Sequence, residues 1–244
     1  MPLEMIIEIC NQHGDKTEII NMRRTNAAFF RAGEIAYGKA VACNRTVFPT
    51  SASISAFHAL LDYWPWLSRH VRDVTLVGEG LRAHPFGSDW GWENVEHEEG
   101  VRFTDADYEI IHYANQEHTN EVALQGAFHV SGGYRAMLVG LFKRLPKLET
   151  INVRKLKVGE HIPGWNGPAA LRDLSFYHPK LNTNDVYYGE WQYDDLHKRV
   201  TEYTDEYGEL ITEDGAGPQV FFIDDVILAM EAAGIPANIN GSLH

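Results

Sequence analysis

Histidines bind metals and can exchange protons near neutral pH, and the chain has twelve of them. His112 and His118 are six residues apart, which does not place two imidazoles on one face of a helix. Residues 97–100 (HEEG) lack the second histidine of a His-Glu-x-x-His zinc motif. The sequence therefore predicts no metal site.

The other reactive groups do not form a catalytic set either. Residues 126–133 (GAFHVSGG) lack the spacing of a phosphate-binding loop, so they predict a turn before a helix. The acidic pairs 194–195 and 224–225 consist of adjacent residues, whose side chains point to different faces of a helix or strand. Neither Cys10 nor Cys43 lies in a nucleophile or metal-binding motif. We expect no enzyme activity, no catalytic residue and no cofactor.

Composition narrows the class of protein further. The chain has 244 residues, of which 44% are hydrophobic and 11% aromatic, as in a packed globular protein. A formal net charge of -13 argues against nucleic-acid binding, which needs basic surface. No apolar run of eighteen residues and no secretory signal is visible, which predicts no membrane contact. Two cysteines without a disulfide or metal spacing suit the cytoplasm or nucleus.

The elements that must position any functional residues begin with two short amphipathic helices. The first carries an apolar stripe formed by Met5, Ile6, Ile9 and Cys10, and the second carries one formed by Ile19, Met22, Ala27 and Phe30. Between them, Asp15 and Glu18 match a capping box. A helical hairpin this small cannot bury both stripes alone, so it must pack on the rest of the chain or on a partner.

The opening and the end of this hairpin follow a known pattern. Residues 1–6 (MPLEMI) match a Leu-Pro-x-Glu-Ile/Leu opening, with Met in the usual Leu place. Residues 15–29 (DKTEIINMRRTNAAF) match a second helix that ends in arginines and a small-residue and aromatic close. Residues 33–43 supply the third helix, where the match is poor. Together these residues resemble an F-box.

The resemblance implies a substrate-recognition subunit of a cullin–RING (SCF-type) ubiquitin ligase, in the cytoplasm or nucleus. Its N-terminal helices are expected to bind a Skp-type adaptor, and the rest of the chain a protein target. The expected adaptor-binding residues are Pro2, Leu3, Glu4, Ile7, Ile20, Met22, Arg23 and Arg24.

Short alternating apolar runs beyond residue 70 predict strands at residues 71–76, 122–124, 148–153 and 171–176. Helices are predicted before three of these runs, at residues 56–67, 105–116 and 134–145. Two of the spacings, 29 residues (151 minus 122) and 23 residues (174 minus 151), suit leucine-rich repeats. Residues 83–101 are expected to form an inserted loop. A single α/β domain with alternating strands and helices is equally compatible with this pattern.

Two short sequence segments strengthen the family resemblance. Residues 69–76 (RHVRDVTL) are similar to the strand that opens the irregular leucine-rich region of fungal F-box proteins, and residues 145–151 (LPKLETI) look like the lead-in to a repeat strand. The sequence thus predicts an α/β protein. A three-helix F-box-like module at residues 1–45 is followed, after a polar link at 44–55, by an irregular leucine-rich-repeat-like array at 56–236.

Tryptophans are the candidate anchors for a protein target, because Trp dominates binding hot spots. The predicted target-binding residues are Trp90, Trp92, Trp165 and Trp191. Two alternatives remain open: an α/β enzyme of unknown reaction, and a repeat-type protein-binding module without adaptor function.

Overall fold

The computed structural model describes residues 3–12, 16–42, 45–82, 87–157, 159–188, 191–194, 199–202, 222–236 and 238–240. The helices are α1 (Leu3–Gln12), α2 (Lys16–Thr25), α3 (Ala27–Ala32), α4 (Glu34–Ala42), α5 (Ser51–Tyr63), α6 (Ser88–Glu99), α7 (Asp105–Val130), α8 (Gly133–Lys143), α9 (Gly167–Ala170), α10 (Asn184–Tyr187) and α11 (Phe222–Ala233). The strands are β1 (Arg45–Val47), β2 (Asp73–Val77), β3 (Thr150–Arg154), β4 (Trp191–Asp194), β5 (Arg199–Glu202) and β6 (Asn238–Asn240). Pro65–Arg69 and Leu171–Asp173 form 3-10 turns.

A parallel sheet in chain order, β1-β2-β3-β6, forms the centre of the protein. Val74 of β2 lies opposite Ile151 of β3, and Ile151 lies opposite Ile239 of β6. Helices α5, α8 and α11 each precede the next strand and bury their apolar faces against the sheet in one core. Parallel neighbours require such long crossovers because a hairpin turn cannot join them. The chain is therefore an α/β protein, with β4 and β5 forming a separate antiparallel pair.

The segment predicted as a polar link, 44–55, instead enters the body of the protein from residue 45 onward. Residues 45–47 form β1, and Val47 and Phe48 are buried because they pack into the two larger cores. Helix α5 begins directly afterwards, where the Thr50 hydroxyl accepts a hydrogen bond from the Ser53 amide at 3.2 Å. The α/β part of the chain thus begins at β1, not at residue 56.

Two predicted strands, 71–76 and 148–153, are confirmed as β2 and β3, and the predicted helix 134–145 is confirmed as α8. The predicted strand at 122–124 is wrong, since these residues lie inside the 26-residue helix α7. Val122 faces a core and Leu124 faces solvent, whereas two residues at this spacing in a strand would share one face. Residues 83–101 are not only a loop, because α6 occupies 88–99.

The predicted strand at 171–176 is also wrong, because Asp107 holds this segment as a turn. The buried Asp107 carboxylate accepts hydrogen bonds from the Ser175 amide at 2.7 Å and from the Ser175 hydroxyl at 2.9 Å. It also accepts from the amide and the hydroxyl of Thr104, which completes a capping box at the start of α7. The segment therefore begins with the 3-10 turn 171–173 and is fixed to the start of α7 through Ser175.

Helices α6 and α7 and the segment 162–188 enclose a second core, which contains Phe48, Val77 and Leu81 just past the carboxyl ends of β1 and β2. Helices α6 and α7 and the segment 162–188 are insertions between the sheet elements, and they therefore lie over one edge of the sheet. Helix α7 is the longest in the described part of the chain, but no helix there is both long and apolar enough to cross a membrane.

The N-terminal helices α1 to α4 have a small core of their own, formed by Ile6, Cys10, Ile19, Ala32 and Ala36. The predicted third helix at 33–43 is present as α4. The predicted second helix is divided, because the Asn26 side chain accepts hydrogen bonds from the amides of Ala28 and Phe29 and starts a new helix. We call residues 3–42 the N-terminal module.

Candidate functional site

The predicted adaptor-binding residues do not all lie at one surface. Ile7 and Met22 are half-buried against the small core of the N-terminal module, whereas Glu4 and Arg24 are exposed. Pro2 lies outside the described residues, and so does the side chain of Leu3. A substitution at Ile7 therefore tests the folding of the module as much as its binding.

Three of the predicted residues, Ile20, Arg23 and Arg24, do come together. With Phe30 and Tyr37 they line a surface pocket of about 300 Å³. We call this group of five side chains the arginine pocket. It combines two guanidinium groups with aromatic walls, which suits an acidic or amphipathic surface of a protein partner.

Arg23 is held in place by aromatic rings on both sides. Its guanidinium carbon lies 4.4 Å from the centre of the Phe30 ring and 4.4 Å from the centre of the Tyr37 ring. One of its nitrogens also donates to the Gly33 carbonyl oxygen at 3.4 Å. A Cβ atom at Gly33 would lie 2.9 Å from the Arg23 side chain, so a larger residue at position 33 would displace Arg23. The charge at position 23 is thus pre-positioned.

Apolar side chains remain exposed on the N-terminal module. Phe30 is 57% exposed, Met5 55% and Ile35 48%. The helix of the module that packs on the body is α4: its Glu34 carboxylate accepts from the Trp64 indole N–H at 3.0 Å, and Gly38 lies against the Trp66 ring. The module is therefore attached to the body without covering all of its apolar surface.

The predicted target-binding tryptophans differ in burial. Trp92 and Trp165 are buried in the second core, where both contact the Tyr187 ring edge-on, so the prediction that they meet a target is wrong. The Trp92 indole N–H donates to Asn115 at 3.0 Å, which satisfies its polar atom inside the protein. Trp90 is half-exposed on α6, and the side chain of Trp191 lies outside the described residues.

Sequence reasoning missed the rings that hold Arg23. Phe30 and Tyr37 follow Arg23 at spacings of seven residues, a distance that keeps side chains on one side of helical segments. That spacing was the available signal. The contact with Gly33 had no signal in the sequence, because it arises from the break between α2 and α3.

Groups of possible metal ligands and the thiol of Cys10 are the remaining reactive side chains in the part of the chain that the structure describes. No three His, Cys, Asp or Glu side chains gather there in a metal-binding arrangement. Burial raises the pKa of the Cys10 thiol, and the nearby positive charge of Arg23 opposes that shift only in part. Cys10 is therefore a protonated core residue and not a reactive thiolate.

Comparisons with known proteins returned no matching family model, no matching curated protein and no matching solved structure.

Proposed function

We propose that this protein is the substrate-recognition subunit of a cullin–RING ubiquitin ligase, in the cytoplasm or nucleus. Its N-terminal module, residues 3–42 together with the preceding Met-Pro, binds a Skp-type adaptor, and its α/β body recruits a protein target. The proposal begins from the F-box resemblance of residues 1–6 and 15–29.

The observation that carries the proposal is the incomplete burial of the N-terminal module. Phe30, the most exposed of its large apolar residues, forms one wall of the arginine pocket. Protein interfaces commonly combine an apolar centre with aromatic and arginine side chains, and this surface has that composition. A module that only capped the α/β body would bury these residues against it, so the exposed surface favours adaptor binding over a purely structural role.

The order of the body supports an irregular repeat array. Thr46 and Thr75 are register partners 29 residues apart (75 minus 46), the length of one leucine-rich repeat. Thr75 and Asn152 are partners 77 residues apart (152 minus 75), because α6 and α7 are inserted between strand and helix. Strands and helices nevertheless stay in chain order, as stacked repeats require.

Co-expression with a Skp-type adaptor tests the proposal. We expect the chain to co-purify with the adaptor in a one-to-one complex, and Phe30→Glu to reduce its affinity at least about tenfold, since a charge in an apolar contact costs more than 1.4 kcal/mol. The new carboxylate would lie beside Arg23, so the fold of the module is expected to survive.

Leu124→Glu is the matched control, because it places the same charge on a 64% exposed apolar residue of α7, outside the N-terminal module. Its adaptor affinity is expected to equal that of the parent. Equal affinity of Phe30→Glu and the parent, or no complex with any adaptor, would overturn the proposal.

A further inference from the structure

A second pocket lies in the segment that follows the carboxyl end of β3. It has a volume of about 280 Å³ and is lined by residues between Gly159 and Thr183. We call it the β3 pocket. Its apolar walls include Leu171, Leu181 and Pro179. The volume is at the small end of ligand sites and suits one side chain or a small molecule. Ligand sites of parallel α/β proteins commonly lie at this edge of the sheet.

The polar atoms that this pocket offers are hydrogen-bond donors. His161 Nδ1 lies 3.0 Å from the Tyr188 hydroxyl, which itself accepts a hydrogen bond from the Ile162 amide at 3.0 Å. We assign the hydroxyl proton to the hydrogen bond with His161 Nδ1, and with this tautomer the imidazole proton is on Nε2. Burial lowers the pKa of His161, so the neutral ring is the usual form. Its Nε2–H is the ring donor left for a ligand.

Arg172 and Thr183 add two further donors. The Arg172 guanidinium lines the pocket, and among the described residues it has no ion-pair or hydrogen-bond partner. Thr183 is only 1% exposed, and its hydroxyl oxygen has no hydrogen-bond partner among the described residues. Buried hydroxyl groups normally have a partner, so the Thr183 hydroxyl is expected to find one in a ligand or water.

Two acceptor side chains beside the pocket, His178 and Glu160, are already engaged. The His178 ring accepts from the Lys180 amide at Nδ1 and donates from Nε2 to Glu99 at 3.0 Å, so it offers a ligand only its ring face. The Glu160 carboxylate is paired with the Arg154 guanidinium through contacts of 2.7 and 2.8 Å. The Glu99 and Glu160 carboxylates are therefore both engaged and do not compete with a ligand for the donors of Arg172, His161 and Thr183.

We propose that the β3 pocket binds a compact oxyanion, a phosphate or carboxylate group on a small apolar stem, with Arg172, His161 Nε2–H and the Thr183 hydroxyl as its donors. A group that only accepts hydrogen bonds is the complement of three donors. The ligand source is either a side chain of a bound protein or a free small molecule. The pocket lies outside the N-terminal module, so this proposal does not depend on adaptor binding.

Calorimetric titration of the full chain with phenyl phosphate, benzoate and the uncharged analogue phenol tests the proposal. We expect at least one anion to bind about tenfold more tightly than phenol, and Arg172→Gln to weaken it about tenfold, as loss of a charged hydrogen bond implies. Thr183→Val is expected to weaken it several-fold. Arg69→Gln, the control, removes one exposed positive charge from the 3-10 turn 65–69 and should leave binding unchanged.

Equal binding of phenol and both anions would overturn the proposal, and so would equal losses in Arg172→Gln and Arg69→Gln, because the second result indicates general surface charge. The net charge of -13 repels anions from most of the surface, which sharpens this comparison. A blocked phosphothreonine peptide identifies the source. Tighter binding of the peptide than of phenyl phosphate would support a protein ligand, and the reverse order would support a small molecule.

Discussion

Asp107 joins two segments that are far apart in the sequence through a single carboxylate. Burial by itself raises its pKa, but the hydrogen bonds from Ser175 and Thr104 outweigh burial and lower the pKa to about 2. The folded pKa lies below the value of 3.8 for an unperturbed aspartate. The resulting stability is therefore fully present above pH 3.8 and is lost as the pH falls towards 2. The two values correspond to about 2 kcal/mol of stability at neutral pH.

We predict that Asp107→Asn lowers the free energy of unfolding by about 2 kcal/mol at pH 7, because the amide nitrogen brings a donor into a site that already holds only donors. Urea denaturation measures the change. Asp105→Asn is the control: Asp105 occupies the same first turn of α7 but is exposed, so its loss costs no more than the helix-dipole contribution of about 1 kcal/mol. Equal losses for the two variants would contradict the assigned role of Asp107.

Helix α7 contacts the segments at the carboxyl edge of the sheet through hydrogen bonds from its buried polar residues. Its buried polar residues His118, Gln125 and His129 lie on one face at spacings of seven and four. The His118 Nε2–H donates to the Tyr187 carbonyl oxygen at 2.8 Å, and the His129 Nε2–H donates to the Pro49 carbonyl oxygen at 2.9 Å. These bonds tie α7 to backbone carbonyl groups of segments remote in the sequence.

Gln125 lies between these two histidines on α7 and binds the loop that follows β2. Its carbonyl oxygen accepts from the buried Leu81 amide at 3.0 Å. We predict that Gln125→Leu lowers the free energy of unfolding by about 1–3 kcal/mol, the cost of a buried amide left without a partner. Hydrogen exchange at Leu81 should accelerate more than exchange at Val74 in β2. Unchanged protection at Leu81 would show that the amide finds another acceptor.

Elements with a local apolar pattern, such as β2, could be predicted from the sequence, whereas the extent of α7 could not. β2 and β3 alternate apolar residues beside turns, and this local pattern was enough to predict them. The apolar residues Val122 and Leu124 alternate with a neighbour as in a short strand, and no local pattern shows that the polar residues of α7 are buried. Their partners, such as Pro49 and Leu81, are loop carbonyl and amide groups remote in sequence. The same limit applies to Trp92 and Trp165, whose burial depends on the inserted helices.

At the scale of the whole molecule, the N-terminal module has a core of its own, and the two larger cores draw on alternating stretches of the rest of the chain. The N-terminal module rests on the Trp64 and Trp66 region through α4, and Val47 and Phe48 are neighbours that enter different cores. Both candidate binding surfaces lie outside the sheet core: the arginine pocket lies in the N-terminal module and the β3 pocket in the insertion. Proteins commonly place their binding surfaces on segments outside the central scaffold, and the scaffold positions those segments.

Three histidines link the stability of this assembly to pH. Burial lowers the pKa values of His118, His129 and His161 below the usual 6.5. The unfolded chain therefore binds more protons than the folded chain once the pH falls below 6.5, so the stability present above that value is lost on acidification. Each histidine contributes at most about 1.4 kcal/mol of this loss at pH 5.5. Glu79, whose pKa burial raises, acts in the opposite sense nearer its usual value of 4.5.

We predict that the melting temperature falls between pH 7.5 and pH 5.5, and that His118→Gln reduces this fall, because glutamine keeps a donor for the Tyr187 carbonyl but does not titrate. His112→Gln is the control, since His112 is exposed on the same helix and its replacement should leave the pH dependence unchanged. Comparing the two variants removes the opposing contribution of Glu79, which is present in both. If both variants lose as much stability as the parent on acidification, the buried neutral state of His118 is not the source of the acid sensitivity.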